Sequence, residues 1–270
     1  MMNLKNLFTR TISGCIYVGI IIGCIFWGQV PFSCMAALFG VIAVIEFEKI
    51  CEGITQKGLP PLILDIAGIC CLAFWWLYFP IFIWICIYIC RVVMELYLKN
   101  DNPILCLSLS LASQLYIGLP LACMTGIAHL GGLHLVLAIF LMIWINDTGA
   151  FITGCTIGKN RLFERISPKK SWEGFFGGLA FNLLAGWLFA IGGKMFWGTG
   201  WSVPTWLLFA ATVTIFSTWG DLIESLIKRS LNIKDSGNII PGHGGILDRI
   251  DSLLLVMPAT LIFLLISFYF

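Results

Sequence analysis

Residues 225–251, SLIKRSLNIKDSGNIIPGHGGILDRID, form a polar segment between two long apolar runs. The segment holds two Lys, two Arg, three Asp, one His and four Gly, in a chain of 270 residues that is 59% hydrophobic. Charged residues beside a membrane-sized apolar run are costly unless they have a partner or a function. The segment therefore predicts a polar site, and the apolar runs around it predict the scaffold that holds the site in place.

The composition of the whole chain predicts an integral membrane protein. Charged residues make up 11% of the chain, against about 25% in soluble domains, and the mean hydropathy is +0.96. A helix needs about 20 apolar residues to cross a bilayer, and continuous runs of about that length recur along the sequence. We therefore expect an all-α, polytopic integral membrane protein.

Nine apolar runs predict about nine transmembrane helices. The runs cover residues 12–27, 31–47, 59–79, 81–98, 104–127, 133–152, 175–192, 203–223 and 250–270. With the N-terminus in the cytoplasm, fourteen of the sixteen Lys and Arg residues fall in cytoplasmic segments, Lys194 falls outside, and Arg91 lies within the fourth run. Because short cytoplasmic loops carry the excess of Lys and Arg, this division predicts a cytoplasmic N-terminus and polar segment, and a C-terminus outside.

Ionisable residues are distributed unevenly along the chain. Before residue 140 the apolar runs hold few of them, chiefly Asp65, Arg91 and Glu95. A charged loop, 46–57, is expected after the second run, whereas the later runs end in polar motifs. We therefore predict an N-terminal transmembrane scaffold, 1–130, and a C-terminal transmembrane catalytic region, 131–270, within one continuous membrane domain.

The net charge indicates the class of partner, and the cysteine spacing indicates whether disulfides or zinc sites are expected. A net charge of +2 is too small to indicate nucleic acid, and the basic residues lie in short loops, so lipid phosphate or a nucleotide is the expected partner. The eleven cysteines include no C-x-x-C pair and lie mostly within apolar runs. They are typical of small buried hydrophobic residues and not of disulfides or zinc ligands.

Three carboxylates are candidate metal ligands: Asp221 lies just before the polar segment, and Asp248 and Asp251 lie at its end. On a helix, Asp221, Ser225 and Lys228 share one face, and Asp248 and Asp251, three residues apart, face the same way. The alternatives are a plain Asp221–Lys228 ion pair and a helix cap at Asp248. Carboxylate oxygens at the ends of two helices favour hard divalent cations such as Mg²⁺, which leaves its other positions to water and phosphate.

A glycine-rich stretch, 241–245, lies between these carboxylates. Its backbone amides can approach a phosphate closely, although a plain turn and a structural role for His243 are the alternatives. Phosphate-binding side chains surround the stretch, namely Lys228, Arg229, Lys234 and Arg249. The basic side chains and the glycines together indicate a phosphate site, whereas the glycines alone would indicate it only weakly.

A second basic motif, SPKKSWEG, occupies residues 167–174. Ser167 followed by Pro168 predicts a helix start, with Ser167 as the cap. Lys169 and Lys170 can be positive-inside residues, bind anionic lipid head groups, or contact a substrate directly. The sequence leaves these alternatives open.

Taken together, these motifs resemble those of the phosphatidate cytidylyltransferases, or CDP-diacylglycerol synthases. Residues 225–229, 234–237 and 241–252 resemble the signature of that family, and residues 146–151 and 167–174 resemble two further blocks. The resemblance is specific over residues 144–252 and general, as an apolar scaffold, before them. Phe151, where Tyr is common, and Ser171, where Thr is common, are mild departures.

The resemblance implies an all-helical membrane enzyme, often a homodimer, that makes CDP-diacylglycerol and pyrophosphate from CTP and phosphatidic acid. It implies a metal centre at Asp221 and Asp248, and we expect Mg²⁺, alone or with a second metal ion, with Asp251 as a further metal residue. We expect the plasma (inner) membrane of a bacterium as the location. The other expected catalytic residues are Lys228, Arg229 and Arg249, and the expected substrate-binding residues are Asp147, Ser167, Lys169, Lys170, Lys234, His243, Gly244 and Gly245.

Two other classes remain as alternatives. A transporter with a cytoplasmic-side ion site would also place Asp within broken membrane helices, but the chain shows no internal repeat and its polar residues gather on one predicted side. Another lipid phosphotransferase is the nearer alternative. The D-G-x-x-A-R element of the CDP-alcohol phosphotransferases is missing from the sequence.

Overall fold

The computed structural model describes residues 4–52, 58–239 and 244–268. The chain divides into two compact units, Met1–Gly126 with Ile233–Ile250, and Ile127–Asn232 with Asp251–Phe270. The first unit thus takes in residues 233–250, which the division at residue 130 assigned to the catalytic region. The single continuous membrane domain stays a prediction.

Within the described residues the chain forms ten α-helices and two short strands. The helices are α1 Leu4–Trp27, α2 Gln29–Cys51, α3 Leu59–Ala73, α4 Phe79–Met94, α5 Pro103–Ser113, α6 Leu119–Gly131, α7 Leu133–Ile157, α8 Trp172–Trp197, α9 Val203–Ser230 and α10 Leu247–Ser267. The strands are β1 Arg161–Phe163 and β2 Ser167–Ser171. A 3₁₀ turn, Trp75–Leu77, follows α3, and a π-helical turn, Gln114–Gly118, joins α5 to α6.

The helices confirm an all-α, polytopic membrane protein. Among the described residues, six helical segments are long and apolar enough to cross a bilayer: Gln29–Cys51, Pro103–Gly131, Leu133–Ile157, Trp172–Gly193, Val203–Ser230 and Leu247–Ser267. Three shorter apolar helices cover Thr11–Trp27, Leu59–Ala73 and Phe79–Met94. Each predicted run overlaps one of these segments, but the count of nine spans and the orientation stay predictions.

In the first unit, α2 packs against α1 and α3, and α3 packs against α4. Small residues allow the close approach of α2, because a Cβ added at Gly40 would lie 2.5 Å from the Ile69 side chain of α3 and 2.6 Å from Leu121. Small residues that let helix backbones approach are typical of packing within a membrane. Gly40 therefore fixes where these helices meet.

Three ionisable residues of this unit, Asp65, Arg91 and Glu95, belong to one buried network. Arg91 pairs with Glu95 at 2.7 Å and donates from Nε to the Ser110 hydroxyl at 2.9 Å. The Ser110 hydroxyl in turn lies 2.7 Å from Asp65 Oδ2, and the Gln114 side chain donates to the Asp65 carbonyl at 2.9 Å. Since buried charges are tolerated only when paired and hydrogen-bonded, the network joins α3, α4 and α5 through polar contacts.

In the second unit, α7, α8 and α9 pack against one another. Glycines on α8 allow α7 to approach, because a Cβ at Gly177 would overlap the Thr153 side chain and one at Gly178 would lie 2.5 Å from Asn146 Oδ1. This close packing positions the polar end of α7 against α8. Gly193, with a φ of 77°, interrupts the helical backbone near the end of α8.

The helix start predicted at Ser167 is wrong. Residues Ser167–Ser171 form β2, which pairs antiparallel with β1 in a register that places Arg161 opposite Ser171. Helix α8 begins at Trp172, and the N–H of Gly174 donates to Ser171 Oγ at 3.1 Å. Ser171 therefore provides the cap contact, since Ser caps the N–H three residues ahead. The two lysines that follow Pro168 extend along the strand instead.

Candidate functional site

Helix α9 carries Asp221, Ser225 and Lys228, as the sequence predicts. The Ser225 hydroxyl donates to Asp221 Oδ1 at 3.3 Å, so the two side chains lie on one face. Lys228 forms an ion pair with Glu224, and Asp221 forms its ion pair with Lys170. Each of these two residues thus has an ion-pair partner other than the one that the alternative interpretation expects.

The pair between Lys170 and Asp221 joins β2 to α9. The Nζ–Oδ2 distance is 2.7 Å, with 27% of the Lys170 side chain and 36% of the Asp221 side chain exposed. A partly exposed pair of this kind contributes little stability. It leaves both groups accessible to a ligand of opposite charge.

The β hairpin that carries Lys170 is fixed to the start of α8 by Glu173. The Glu173 carboxylate accepts bonds from the backbone N–H of Lys159 at 3.1 Å and from the Asn160 side chain at 2.7 Å. The N–H of Trp172 donates to the Asn160 carbonyl at 2.9 Å. These bonds hold the position of β2 and hence of Lys169 and Lys170.

A cavity of about 250 Å³ lies beside this ion pair. Its walls come from α7, β1, β2, α8 and α9. The polar side chains in them include two ammonium groups, two carboxylates and two neutral groups: Lys169, Lys170, Asp147, Asp221, Asn146 and Thr218. Ammonium groups bind phosphate oxygens, whereas carboxylates bind hard cations. The cavity thus combines the two kinds of group that bind a metal-complexed phosphate.

Asp251 of α10 belongs to the same carboxylate group. A Cβ at Gly220 would lie 2.7 Å from the Asp251 carbonyl, so α9 and α10 approach closely next to Asp221. The Asp251 carboxylate interacts electrostatically with Asp221, Asp147 and Lys170. Because neighbouring carboxylates repel one another, these three carboxylates favour a bound cation in addition to the Lys170 ammonium group.

These acids fit Mg²⁺ without forming a complete metal cage. Across residues 4–52, 58–239 and 244–268, no group of three or more His, Cys, Asp or Glu side chains is arranged to hold a metal ion. Mg²⁺ usually takes one or two carboxylates and keeps water and substrate phosphate as its other ligands. Asp221 and Asp251 fit that donor set.

Asp248 lies in the first unit, at the start of α10. Its Oδ2 accepts bonds from the Ser236 N–H at 2.9 Å, the Ser236 hydroxyl at 3.0 Å and the Gly245 N–H at 2.8 Å. These bonds connect Ser236 and Gly245, which precede α10 in the chain, to the start of the helix. The structure therefore gives Asp248 a role in organising the polar segment, and its metal role stays a prediction.

Glu46 is a residue that the sequence analysis missed. We expected it in a charged loop, but α2 continues to Cys51 and only 3% of Glu46 is exposed. Its oxygens accept the N–H groups of Ile246 at 3.1 Å and Leu247 at 2.9 Å, and they lie 3.3 Å from the Ser236 hydroxyl. The available signal was an acid near the end of an apolar run, at the end predicted to lie on the same side of the membrane as the polar segment.

The predicted site residues fall into two groups. The second unit holds Asp147, Ser167, Lys169, Lys170, Asp221, Lys228, Arg229 and Asp251. The first unit holds Lys234, Gly244, Gly245, Asp248 and Arg249, whereas His243 lies outside the described residues. The structure brings Asp147, Lys169, Lys170 and Asp221 to one cavity. A metal site shared by Asp221, Asp248 and Asp251 stays a prediction.

Comparison with known proteins gives a consistent result. A family model described as the cytidylyltransferase family matches residues 8–267. Similar proteins named phosphatidate cytidylyltransferase include one from Staphylococcus haemolyticus, 46% identical over 129 residues, or 47% of each chain. Another, from Staphylococcus saprophyticus, is 41% identical over 150 residues, or 50% of this chain and 55% of the relative. A third, from Staphylococcus aureus strain COL, is 43% identical over 138 residues, or 50% of this chain and 51% of the relative. The chain spans about half the length of the curated relatives it matches.

Proposed function

The chain belongs to the cytidylyltransferase family, and from this premise we propose that it transfers the cytidylyl group of CTP to phosphatidic acid. The products are CDP-diacylglycerol and pyrophosphate. The names of the staphylococcal relatives support these substrates. The observation that carries the proposal is the cavity in which Lys169 and Lys170 face Asp147 and Asp221.

The reaction joins two anions. A phosphate oxygen of phosphatidic acid attacks the α-phosphorus of CTP, a P–O bond forms, and the bond to the bridging oxygen of the β-phosphate breaks, so that pyrophosphate leaves with the electron pair. Because the phosphate nucleophile is largely ionised at neutral pH, no general base is needed. Catalysis then depends on charge neutralisation and alignment.

Lys169 and Lys170 supply positive charge for the lipid phosphate. Lys170 bonds Asp221 in this structure, and an ammonium group on a flexible stem can exchange a carboxylate for a phosphate oxygen. Lys228 and Arg229, at the end of α9, bind the phosphates of CTP. Two basic groups on separate elements allow two phosphates to be held at once.

Asp221 and Asp251 would hold Mg²⁺, with Asp147 hydrogen-bonding in its surroundings. When bound, the ion supplies Lewis-acid neutralisation of the triphosphate and of the leaving pyrophosphate. Asp248 completes the set of expected ligands. A cytoplasmic site in a bacterial plasma membrane, where CTP is available, and a homodimeric assembly belong to the same proposal.

The proposal is tested with purified protein in lipid vesicles or detergent. Phosphatidic acid is combined with each of the four ribonucleoside triphosphates, and pyrophosphate release is followed with and without Mg²⁺. We expect release with CTP alone among the four, only with both phosphatidic acid and Mg²⁺ present. Release without phosphatidic acid, or solute uptake into vesicles without CTP, would contradict the proposal.

A further inference from the structure

We propose that Glu46 is a positioning residue that holds the start of α10 from α2 and thereby sets the direction of the Asp248 carboxylate. This inference rests on the proposed function, in which Asp248 belongs to the catalytic groups. It assigns a role at the site to a helix that the sequence indicates is scaffold alone.

Glu46 satisfies backbone N–H groups at the start of α10 that have no carbonyl partner within the helix. The first N–H groups of a helix have no partner within the helix. Oε1 of Glu46 accepts the N–H of Ile246 at 3.1 Å, and Oε2 accepts that of Leu247 at 2.9 Å. A carboxylate is also favoured at this end of a helix by the helix dipole. Helix α2 thus supplies a cap to a helix that begins about 200 residues later.

Two glycines of the polar segment, Gly237 and Gly245, fit around this carboxylate. A Cβ at Gly237 would lie 2.5 Å from Glu46 Oε1, and a Cβ at Gly245 would overlap Glu46 Oε2. Neither position can take a larger residue without moving Glu46, because real Cβ atoms do not approach so closely. These two positions therefore lie against Glu46, and the packing there requires glycine.

The hydroxyl of Ser236 connects Glu46 to Asp248. It lies 3.3 Å from Glu46 Oε2 and 3.0 Å from Asp248 Oδ2, and it is 4% exposed. A hydroxyl has one proton, so it donates to one of these carboxylates at a time. The backbone N–H of Ser236 also donates to Asp248 at 2.9 Å. A displacement of Glu46 is thus passed to Asp248 through Ser236 and through the helix start.

The first test replaces Glu46 by Gln, which keeps the size of the side chain. An amide has one acceptor oxygen, so its NH₂ group would face a backbone N–H or the Ser236 hydroxyl. Glu52→Gln is the matched control, because Glu52 is an exposed acid at the end of the same helix. Hydrogen–deuterium exchange of peptides covering 244–250 reports on the helix start, and steady-state kinetics reports on the reaction.

For Glu46→Gln we expect amide exchange in these peptides to rise about 10-fold or more. We expect kcat for pyrophosphate release to fall by about 10- to 100-fold, the factor that one hydrogen bond to a charged group is worth. The KM for phosphatidic acid should stay within about twofold, since substrate contacts are not removed. Glu46→Asp, which keeps the charge with a shorter reach, should recover part of kcat, and Glu52→Gln should match wild type.

A second variant guards against a general loss of folding. Ser236→Ala removes the shared hydroxyl while leaving the two backbone bonds to Glu46, so we expect a fall of kcat of about 3- to 10-fold with little change of exchange at residues 246–247. Normal kcat in both Glu46→Gln and Ser236→Ala would overturn the inference, and so would faster exchange without loss of kcat. If wild-type protein released no pyrophosphate, the proposed function would fail, whereas the exchange rates would still decide whether Glu46 holds the start of α10.

Discussion

Lys170 Nζ lies 2.7 Å from Asp221 Oδ2, so a strand residue and a helix residue that are 51 positions apart form one ion pair in the wall of a cavity. The pair is partly exposed, and its two members are expected to bind ligands of opposite charge. The ammonium group suits a phosphate, and the carboxylate suits a metal ion. Without ligands, the two groups therefore neutralise each other's charge.

Replacing Asp221 by Asn should abolish most activity without unfolding the protein. Asn keeps the size but removes the charge that a hard cation needs, so we expect kcat to fall at least about 100-fold. Asp101→Asn, at an exposed acid that does not line the cavity, is the control for loss of a surface carboxylate. Asp221→Asn combined with Asp251→Asn should be little worse than Asp221→Asn alone, because residues that act as a unit are not additive. A multiplicative loss would mean that the two acids do not hold one ion.

Asp248→Asn distinguishes a metal role from an organising role. Asn caps a helix about as well as Asp, and its oxygen can still accept from Ser236 and Gly245. If Asp248 binds metal, turnover should fall at least about 100-fold while exchange at the start of α10 stays slow. Near-normal turnover would show that Asp248 only organises the helix start, through its three hydrogen bonds, and does not bind metal.

Lys170→Ala and Arg229→Ala should affect different substrates. We expect Lys170→Ala to raise the KM for phosphatidic acid about 10-fold and Arg229→Ala to raise the KM for CTP by a similar factor. Lys159→Ala is the control, since Lys159 is exposed in the loop before β1. Equal effects of both variants on both substrates would show that the two basic groups form a single phosphate site.

Substitution of Arg91 should destabilise the fold. Arg91→Met removes the ion pair of the buried Glu95 and the hydrogen bond that Arg91 Nε donates to Ser110, and breaking a buried pair costs about 3–5 kcal/mol. Thermal unfolding in detergent should show a lower midpoint, whereas kcat per folded molecule should stay near wild type. A large drop of kcat with an unchanged midpoint would point instead to a functional role for the network.

The predicted orientation is tested by cysteine labelling in a cysteine-free background. Single cysteines at Lys159 and Asn238, both exposed, should resist an impermeant thiol reagent in intact cells, and one at Gly198, also exposed, should react. The physical reason is the concentration of Lys and Arg in the segments predicted to be cytoplasmic. Reaction at Asn238 would reverse the orientation and remove the cytoplasmic CTP site.

The sequence alone determined the fold class and most of the candidate residues. Apolar runs of bilayer length predict helices because backbone groups in lipid must be satisfied within the segment, and the helices confirm this. The helical spacing of Asp221 and Ser225 was also visible in the sequence, since residues four apart share a face. These features depend on local periodicity, which a linear sequence contains.

Tertiary structure alone decided which side chains meet. The partner of Asp221 is Lys170 from a strand that the sequence predicted as a helix start, because pairing with β1 outweighed the local Ser-Pro signal. The bonds from Glu46 to Ile246 and Leu247 join positions about 200 residues apart, and no local pattern encodes such a contact. Sequence spacing specifies which residues share a face of one element. Partners between elements are fixed only when the whole chain packs and each buried charge must find a hydrogen-bond partner.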